Sequence, residues 1–383
     1  MSVAAVAVVA TGAPWESVVL REIEAAETLR LARRCMDVAE LLAVAGIGVD
    51  VAVVDTAIPG LDLEAVELLH GRGVLVLGMG EESRRVALGI RTAVQPGALA
   101  ATISTARFSS VPGGPPESTV PSRVGRLTAV WGPHGAPGRS TLALALATVL
   151  SSRERTLLVD ADVYGGSQAQ QVALLDDVSG LVAAARSANR GDGVDVTSHA
   201  VGIEADLDLL SGIVHAQMGA SLRPKAVERV LEQTRAHYPQ VVADCGFGLE
   251  ASGQAPSRDE ITLRLLRHAD VVVVVGRADP VGLARLVRGL HDLGQVTDAE
   301  PVVVLNRVRA GLGWGRRELV STVRRLSGTD PAVLVPDDPS TIDAAVMAGR
   351  PPARAGDSSP FGTAVHELVD CLPIGPVTSS TPA

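Results

Sequence analysis

Short apolar runs alternate with amphipathic stretches along most of the chain. Between Met1 and Gly97, β-branched runs at Val3–Val9, Asp50–Val54 and Val74–Leu77 have the length and composition of strands. The stretches at Glu16–Cys35, Leu63–Leu69 and Ser83–Thr92 read as helices between them. From Ala98 to Arg126 the pattern dissolves into Ser, Thr, Pro and Gly, and Val111–Ser118 can hold neither a helix nor a central strand. A second series begins at Leu127, with strands predicted at Leu127–Trp131, Thr156–Val159, Gln240–Ala243, Val271–Val275, Val302–Leu305 and Val333–Val335. Near-continuous apolar strands separated by helices predict a parallel sheet covered on both faces.

The expected organisation is an α/β chain: a βα domain over residues 1–97, a linker over 98–126, a larger doubly wound, mostly parallel domain over 127–374, and a disordered tail over 375–383. Composition supports it, since 46% of the residues are hydrophobic but only 2% are aromatic, which calls for aliphatic, sheet-rich cores. The net charge of −9 disfavours a protein held to nucleic acid by charge alone. Cys35, Cys245 and Cys371 lie far apart, with neither disulfide spacing nor zinc spacing, and read as small buried hydrophobes. The apolar start has no basic residue before Arg21, and no run approaches the roughly 20 apolar residues of a membrane span, so a cytoplasmic protein is expected. Lys225 is the only lysine in the sequence.

The candidate chemistry sits where the second series starts. Trp131-Gly-Pro-His-Gly-Ala-Pro-Gly-Arg-Ser-Thr141 follows a strand and opens a helix, where backbone N–H groups cradle phosphates, a cation reaches the outer phosphates and a hydroxyl ligates magnesium. By itself this is also the composition of an ordinary Gly/Pro turn. The stretch resembles the phosphate loop of the ParA/MinD ATPases, Lys-Gly-Gly-x-Gly-Lys-Thr-Thr, with His134 and Arg139 in place of the two lysines. Avoidance of lysine throughout the chain accounts for Arg139 but not for His134. Arginine's planar fork does not replace a compact ammonium in a tight loop, and Pro133 and Pro137 offer no N–H.

Further segments fall in the order of that family. Leu158-Val-Asp160-Ala-Asp162 resembles its first switch, Gln240-Val-Val-Ala-Asp244 its Walker B strand, Val302-Val-Val-Leu-Asn306 its adenine-reading strand end, and Val335-Pro336-Asp-Asp338 its closing loop. The resemblance implies ATP and Mg2+ as cofactors. It implies Gly135, Ala136, Gly138, Arg139, Ser140, Thr141, Asn306, Pro336 and Asp338 around the nucleotide, and Ser140, Asp160 and Asp244 at the metal. Asp162 and Arg139 would serve turnover.

In the front domain, Val51-Ala-Val-Val-Asp55 resembles the phosphoacceptor strand of response-regulator receivers. No acid follows the first strand at Val9–Gly12, and Gln95 stands where the receiver lysine is expected, so the domain reads as a pseudo-receiver. A degenerate receiver before a MinD-like domain resembles the CpaE-like proteins, also called septum site-determining proteins (Ssd). That likeness implies a spatial regulator of septum placement or of Flp/Tad pilus and secretion assembly, with protein partners from that machinery and a homodimer. An active, nucleotide-dimerised ATPase is the alternative. Phe361–Leu372 carries Glu367 and Asp370 and no Lys or Arg, so no direct membrane insertion is expected.

Overall fold

The computed structural model describes residues 3–10, 12–108, 124–175, 178–191, 195–250 and 258–373, so the predicted tail lies outside the described residues. The chain divides into two compact units, residues 1–119 with 186–194, and residues 120–185 with 195–383.

The first unit is built on a five-stranded sheet of β1 (Ala4–Val9), β2 (Leu29–Cys35), β3 (Val51–Asp55), β4 (Leu75–Met79) and β5 (Thr92–Ala93). Its order, β2-β1-β3-β4-β5, is that of the flavodoxin-like doubly wound folds, and every pairing is parallel. Alternate residues supply its two cores. Ala7, Val9, Ala52 and Val54 pack with Leu41 and Leu69, while Val6, Val8, Val51 and Val53 pack with Val19, Leu99 and Ile103.

Three expectations change here. The helix predicted over Ser83–Thr92 spans Glu82–Ala87, and Thr92 begins β5. The helix predicted over Glu16–Cys35 ends at Ala25, and Leu29–Cys35 is an edge strand. Only Leu29 and Cys35, its ends, are buried, and three arginines and Leu31 fill the exposed positions, so the strand lacks the apolar alternation that would have marked it. Charged edge strands of this kind resist pairing with other chains. The stretch read as linker contains a helix, Leu99–Phe108, because Leu99 and Ile103, four apart, bury one face against the sheet.

The second unit carries eight strands: β6 (Arg126–Trp131), β7 (Thr156–Ala161), β8 (Val201–Glu204), β9 (Leu207–Leu210), β10 (Gln240–Cys245), β11 (Val271–Arg277), β12 (Pro301–Val308) and β13 (Pro331–Pro336). They lie in the order β13-β12-β11-β6-β10-β7-β9-β8, parallel except for the β8–β9 hairpin. All six predicted strands of this unit form. The hairpin was not predicted: its strands have four residues each, and β8 is largely exposed.

From β6 the sheet is built outward in both directions, through β10 on one side and β11 on the other. The crevice beyond the carboxyl ends of these strands is where such sheets bind ligands. The helix Arg139–Ser151 leaves this point and is buried all round from Leu142 onward, so it lacks a polar face. It packs on β10 and β7 and on the helix Pro360–Cys371, whose Phe361, Ala364, Val365, Leu368 and Val369 join the same core. Among the described residues, no helix is long and apolar enough to cross a membrane.

Leu144 is fully buried in that core. Leu144→Ala is expected to lower unfolding free energy by about 2–5 kcal/mol, measured by urea denaturation of a chain in which Trp131 is the remaining indole. A loss under about 1 kcal/mol would mean that this helix is not central to the unit.

Candidate nucleotide site

The turn between β6 and the helix Arg139–Ser151 closes with two glycines in the left-handed region, Gly135 at φ 79° and Gly138 at φ 86°. Space as well as conformation excludes larger residues. A Cβ on Gly138 would sit 2.3 Å from Asn306 Nδ2, and one on Gly132 would sit 2.4 Å from the Val275 carbonyl oxygen. The loop is therefore pressed against β11 and the end of β12. Asn306 Nδ2 donates to the Pro137 carbonyl at 2.9 Å, and its Oδ1 accepts from the Arg307 N–H at 2.9 Å. Arg307 holds φ 57°, an uncommon value for a side-chain-bearing residue. Asn306, expected to read a base, thus staples the loop to the sheet with one donor and one acceptor, and keeps a second of each.

Arg139 folds back over the loop rather than away from it. Its Nη1 lies 3.3 Å from the Gly132 carbonyl oxygen, 3.4 Å from that of Pro133 and 3.5 Å from that of Ala136. Its Nη2 is 3.9 Å from Asp162 Oδ2, and its Nε is buried without a partner. The guanidinium is thus held by loop carbonyls and one switch-like carboxylate. Ala136 is buried, while Ser140 and Thr141 are half-buried at the helix start.

Behind the loop stand two carboxylates on neighbouring strands. Asp160 of β7 and Asp244 of β10 are register partners, at 2% and 0% exposure. Asp160 Oδ2 accepts from the Gln168 N–H at 3.0 Å, and Asp244 Oδ2 from Gln168 Nε2 at 2.8 Å. The same Nε2 reaches the Ser140 carbonyl at 3.0 Å. Asp160 Oδ1 and Asp244 Oδ1 are buried with no hydrogen-bond partner. Gly212 and Gly166 close over Asp160, since a Cβ on either would lie within 2.6 Å and 2.8 Å of its carboxylate.

Burial pushes the Asp160 carboxyl well above its ordinary range, and the charges of Asp244 and Asp162 add to this. Burial also raises Asp244, opposed by the nearby Ser140 hydroxyl and the Gln168 amide. Two buried acids of like charge, each with a bare oxygen, are the complement of a cation. Among the described residues, no group of three or more His, Cys, Asp or Glu could hold a metal by itself. Mg2+ commonly takes one or two carboxylates together with substrate phosphates, and Ser140, Asp160 and Asp244 fit such a partial set.

Asp162 lies just past β7, with Oδ1 accepting from the Tyr164 N–H at 2.9 Å. Beyond the loop, Gly138, Thr141, Asn306, Pro336, Asp338 and Phe361 help line one cleft of about 270 Å3. Asp338 spends both oxygens on capping the helix Pro339–Met347, through the Thr341 N–H and hydroxyl and the Ser340 hydroxyl. Gly135 faces Arg285, whose Nη1 donates to the His134 carbonyl at 3.3 Å.

Sequence reasoning missed Gln168, which carries no motif, and an aromatic row beside the loop. His134 meets Phe247 edge-on at 5.1 Å, Phe247 meets Tyr164 at 4.8 Å, and Trp131 Nε1 donates to the Phe247 carbonyl at 3.2 Å. Tyr164 and Phe247 lie far from the loop in the sequence, so no local signal marked the row. In the first unit, Asp55 Oδ1 accepts from the Ala57 N–H at 2.9 Å, a turn-forming bond. The acid that sequence reading did not place there is Glu16, buried, accepting from the Gly12 N–H at 3.2 Å and paired with Arg34 at 2.5 Å.

No family model matches the chain, and no curated protein matches it. Solved structures do. A ParA family ATPase from Chlorobium tepidum TLS aligns with a TM-score of 0.56 at 17% identity, covering 65% of this chain and 98% of that one. The cell division ATPase MinD of Pyrococcus furiosus aligns at 0.52 and 18% identity, over 64% of this chain and 97% of its own. The septum site-determining protein MinD of Pyrococcus horikoshii OT3, solved with Mg-ADP, aligns at 0.51 and 18% identity, over 64% and 94%. At such identities the likeness is one of fold: the chain carries a MinD/ParA-like P-loop NTPase fold.

The raised carboxyls have a pH consequence. A carboxyl whose folded pKa lies above its unfolded value of about 3.9 costs the fold stability as pH rises from the unfolded value to the folded one. In metal-free buffer, Asp160→Asn is therefore expected to melt above the wild type at pH 8, with the gap narrowing steadily toward about pH 4. A gap independent of pH, read by thermal scans, would contradict the buried-acid geometry.

Proposed function

We propose that this chain binds Mg-ATP weakly through a degenerate Walker A loop and acts as a MinD/CpaE-like spatial regulator. Its role would be in septum placement or in Flp/Tad pilus and secretion assembly, from the cytoplasm. The observation that carries this reading is a glycine-turned loop at a helix N-terminus facing two buried carboxylates that each keep a bare oxygen. In it, Gly135, Ala136, Gly138 and Thr141 surround phosphates, Ser140, Asp160 and Asp244 hold the cation, and Asn306, Pro336 and Asp338 bound the base side. Mg2+ would supply charge neutralisation between the phosphates and the carboxylates.

Weak affinity follows from the loop's own chemistry. Pro133 and Pro137 donate nothing, and Arg139 is engaged by the carbonyls of Gly132, Pro133 and Ala136 and must leave them to reach a phosphate. His134, which stands where the resemblance places a lysine, packs against Phe247. Regulation would then run through protein partners and a second copy of the chain rather than through rapid turnover. The degenerate receiver reading of the first unit fits that role, as a docking module. Direct lipid binding is not part of the proposal, because the apolar side of the helix Pro360–Cys371 is spent inside its own unit.

One observation favours the active ATPase as a second reading: Asp162 stands by Arg139 at the loop, beside the Asp160–Asp244 pair, so the acidic residues of turnover are gathered rather than scattered.

Titration of Trp131 fluorescence with Mg-ATP separates the two, in a chain with Trp15 and Trp314 replaced by Phe. Saturation only at high nucleotide is expected, with Arg139→Lys tightening binding about tenfold, roughly the worth of one charge-assisted hydrogen bond. Submicromolar saturation with brisk phosphate release by the wild type would establish the ATPase instead.

A further inference from the structure

Gln168 is fully buried at the first position of the short helix Gln168–Gln171, and nothing in the reading above requires it. It nevertheless touches three parts of the site at once. Its side-chain Nε2 serves Asp244 Oδ2 and the Ser140 carbonyl, and its backbone N–H serves Asp160 Oδ2. Two acceptors around one atom fix that atom as the NH2 group, since an amide oxygen could face neither. The opposite end of the amide points toward Gln171 Nε2, at 3.5 Å.

The effect is selective. One residue occupies one oxygen on each of two carboxylates in register on neighbouring strands, and the other oxygen of each stays bare and buried. A carboxylate with one oxygen tethered has lost its rotational freedom, so its second oxygen keeps a fixed direction. The tether to the Ser140 carbonyl also ties that direction to the first turn of the loop helix, where the Ser140 hydroxyl begins. Outer partners of this kind set the orientation of metal ligands, and their removal commonly weakens metal binding 10–100-fold.

We propose that Gln168 is the positioning residue of this site: it aims the free oxygens of Asp244 and Asp160 at a divalent cation bound with the nucleotide phosphates, and couples that aim to Ser140. The inference rests on the nucleotide-binding reading and adds to it a residue that no phosphate-loop motif contains.

The test uses the full chain and two separate affinities. Mn2+ binding in the presence of saturating ADP is read by electron paramagnetic resonance, and ADP binding in EDTA by equilibrium dialysis. Gln168→Met, which keeps bulk and removes the donor, is expected to weaken Mn2+ binding 10–100-fold while metal-free ADP affinity stays within about twofold of wild type. Gln168→Asn, shorter by one methylene, should give the same split, and serves if the Met variant folds poorly. Equal losses in both affinities would make Gln168 a packing residue and overturn the proposal, as would unchanged Mn2+ affinity. Wild-type protein that binds ADP but no Mn2+ would sink the positioning role alone. Failure to bind ADP at all would remove the nucleotide reading and this inference with it.

Discussion

The second unit is organised around two carboxyl groups buried side by side. Asp160 and Asp244 sit opposite one another on adjacent central strands, beneath the amino end of a helix with no polar face. Burying one unpaired carboxylate is costly, and burying two side by side is worse. The surrounding chain answers only half of that cost. Gln168 satisfies one oxygen of each, glycines at 166 and 212 admit the close approach, and the remaining oxygen of each is buried without a hydrogen-bond partner. The proposed cation site rests on that feature.

The loop between β6 and the helix Arg139–Ser151 shows the opposite arrangement. Its groups are engaged internally: Arg139 with loop carbonyls, Asn306 with Pro137, Trp131 with the Phe247 carbonyl, and His134 edge-on with the Phe247 ring. A loop held from so many sides is organised before any ligand arrives, which lowers the ordering cost of binding. The same contacts compete with a ligand for Arg139. The proposed outcome, a shaped site with modest affinity, follows from the balance between those two effects.

The two units use their sheets differently. In the first, both faces are covered by aliphatic residues, its edge is lined with arginines, and Asp55 serves a local turn while Glu16 is buried against Arg34. In the second, strand ends carry the polar residues that converge on one crevice, and the aliphatic core serves to hold those ends in register.

The strands of the second unit and the order of its motifs were legible in the sequence, because continuous Val, Leu and Ala runs bounded by Gly, Asp and Asn encode buried parallel strands locally. Helix and linker boundaries in the first unit were less so. The strand Leu29–Cys35 hides behind arginines that only an edge position tolerates, and the helix Leu99–Phe108 needs the sheet it covers. Asp160, Asp162, Asp244, Arg139 and Asn306 were named as candidate site residues from local pattern. What those side chains do was decided by tertiary structure: that Asn306 staples the loop, that Arg139 faces carbonyls, and that Gln168 joins two strands to a helix. Sequence records which groups lie at the ends of strands, whereas hydrogen-bond partners depend on which strands become neighbours, and that is settled only when distant segments pack.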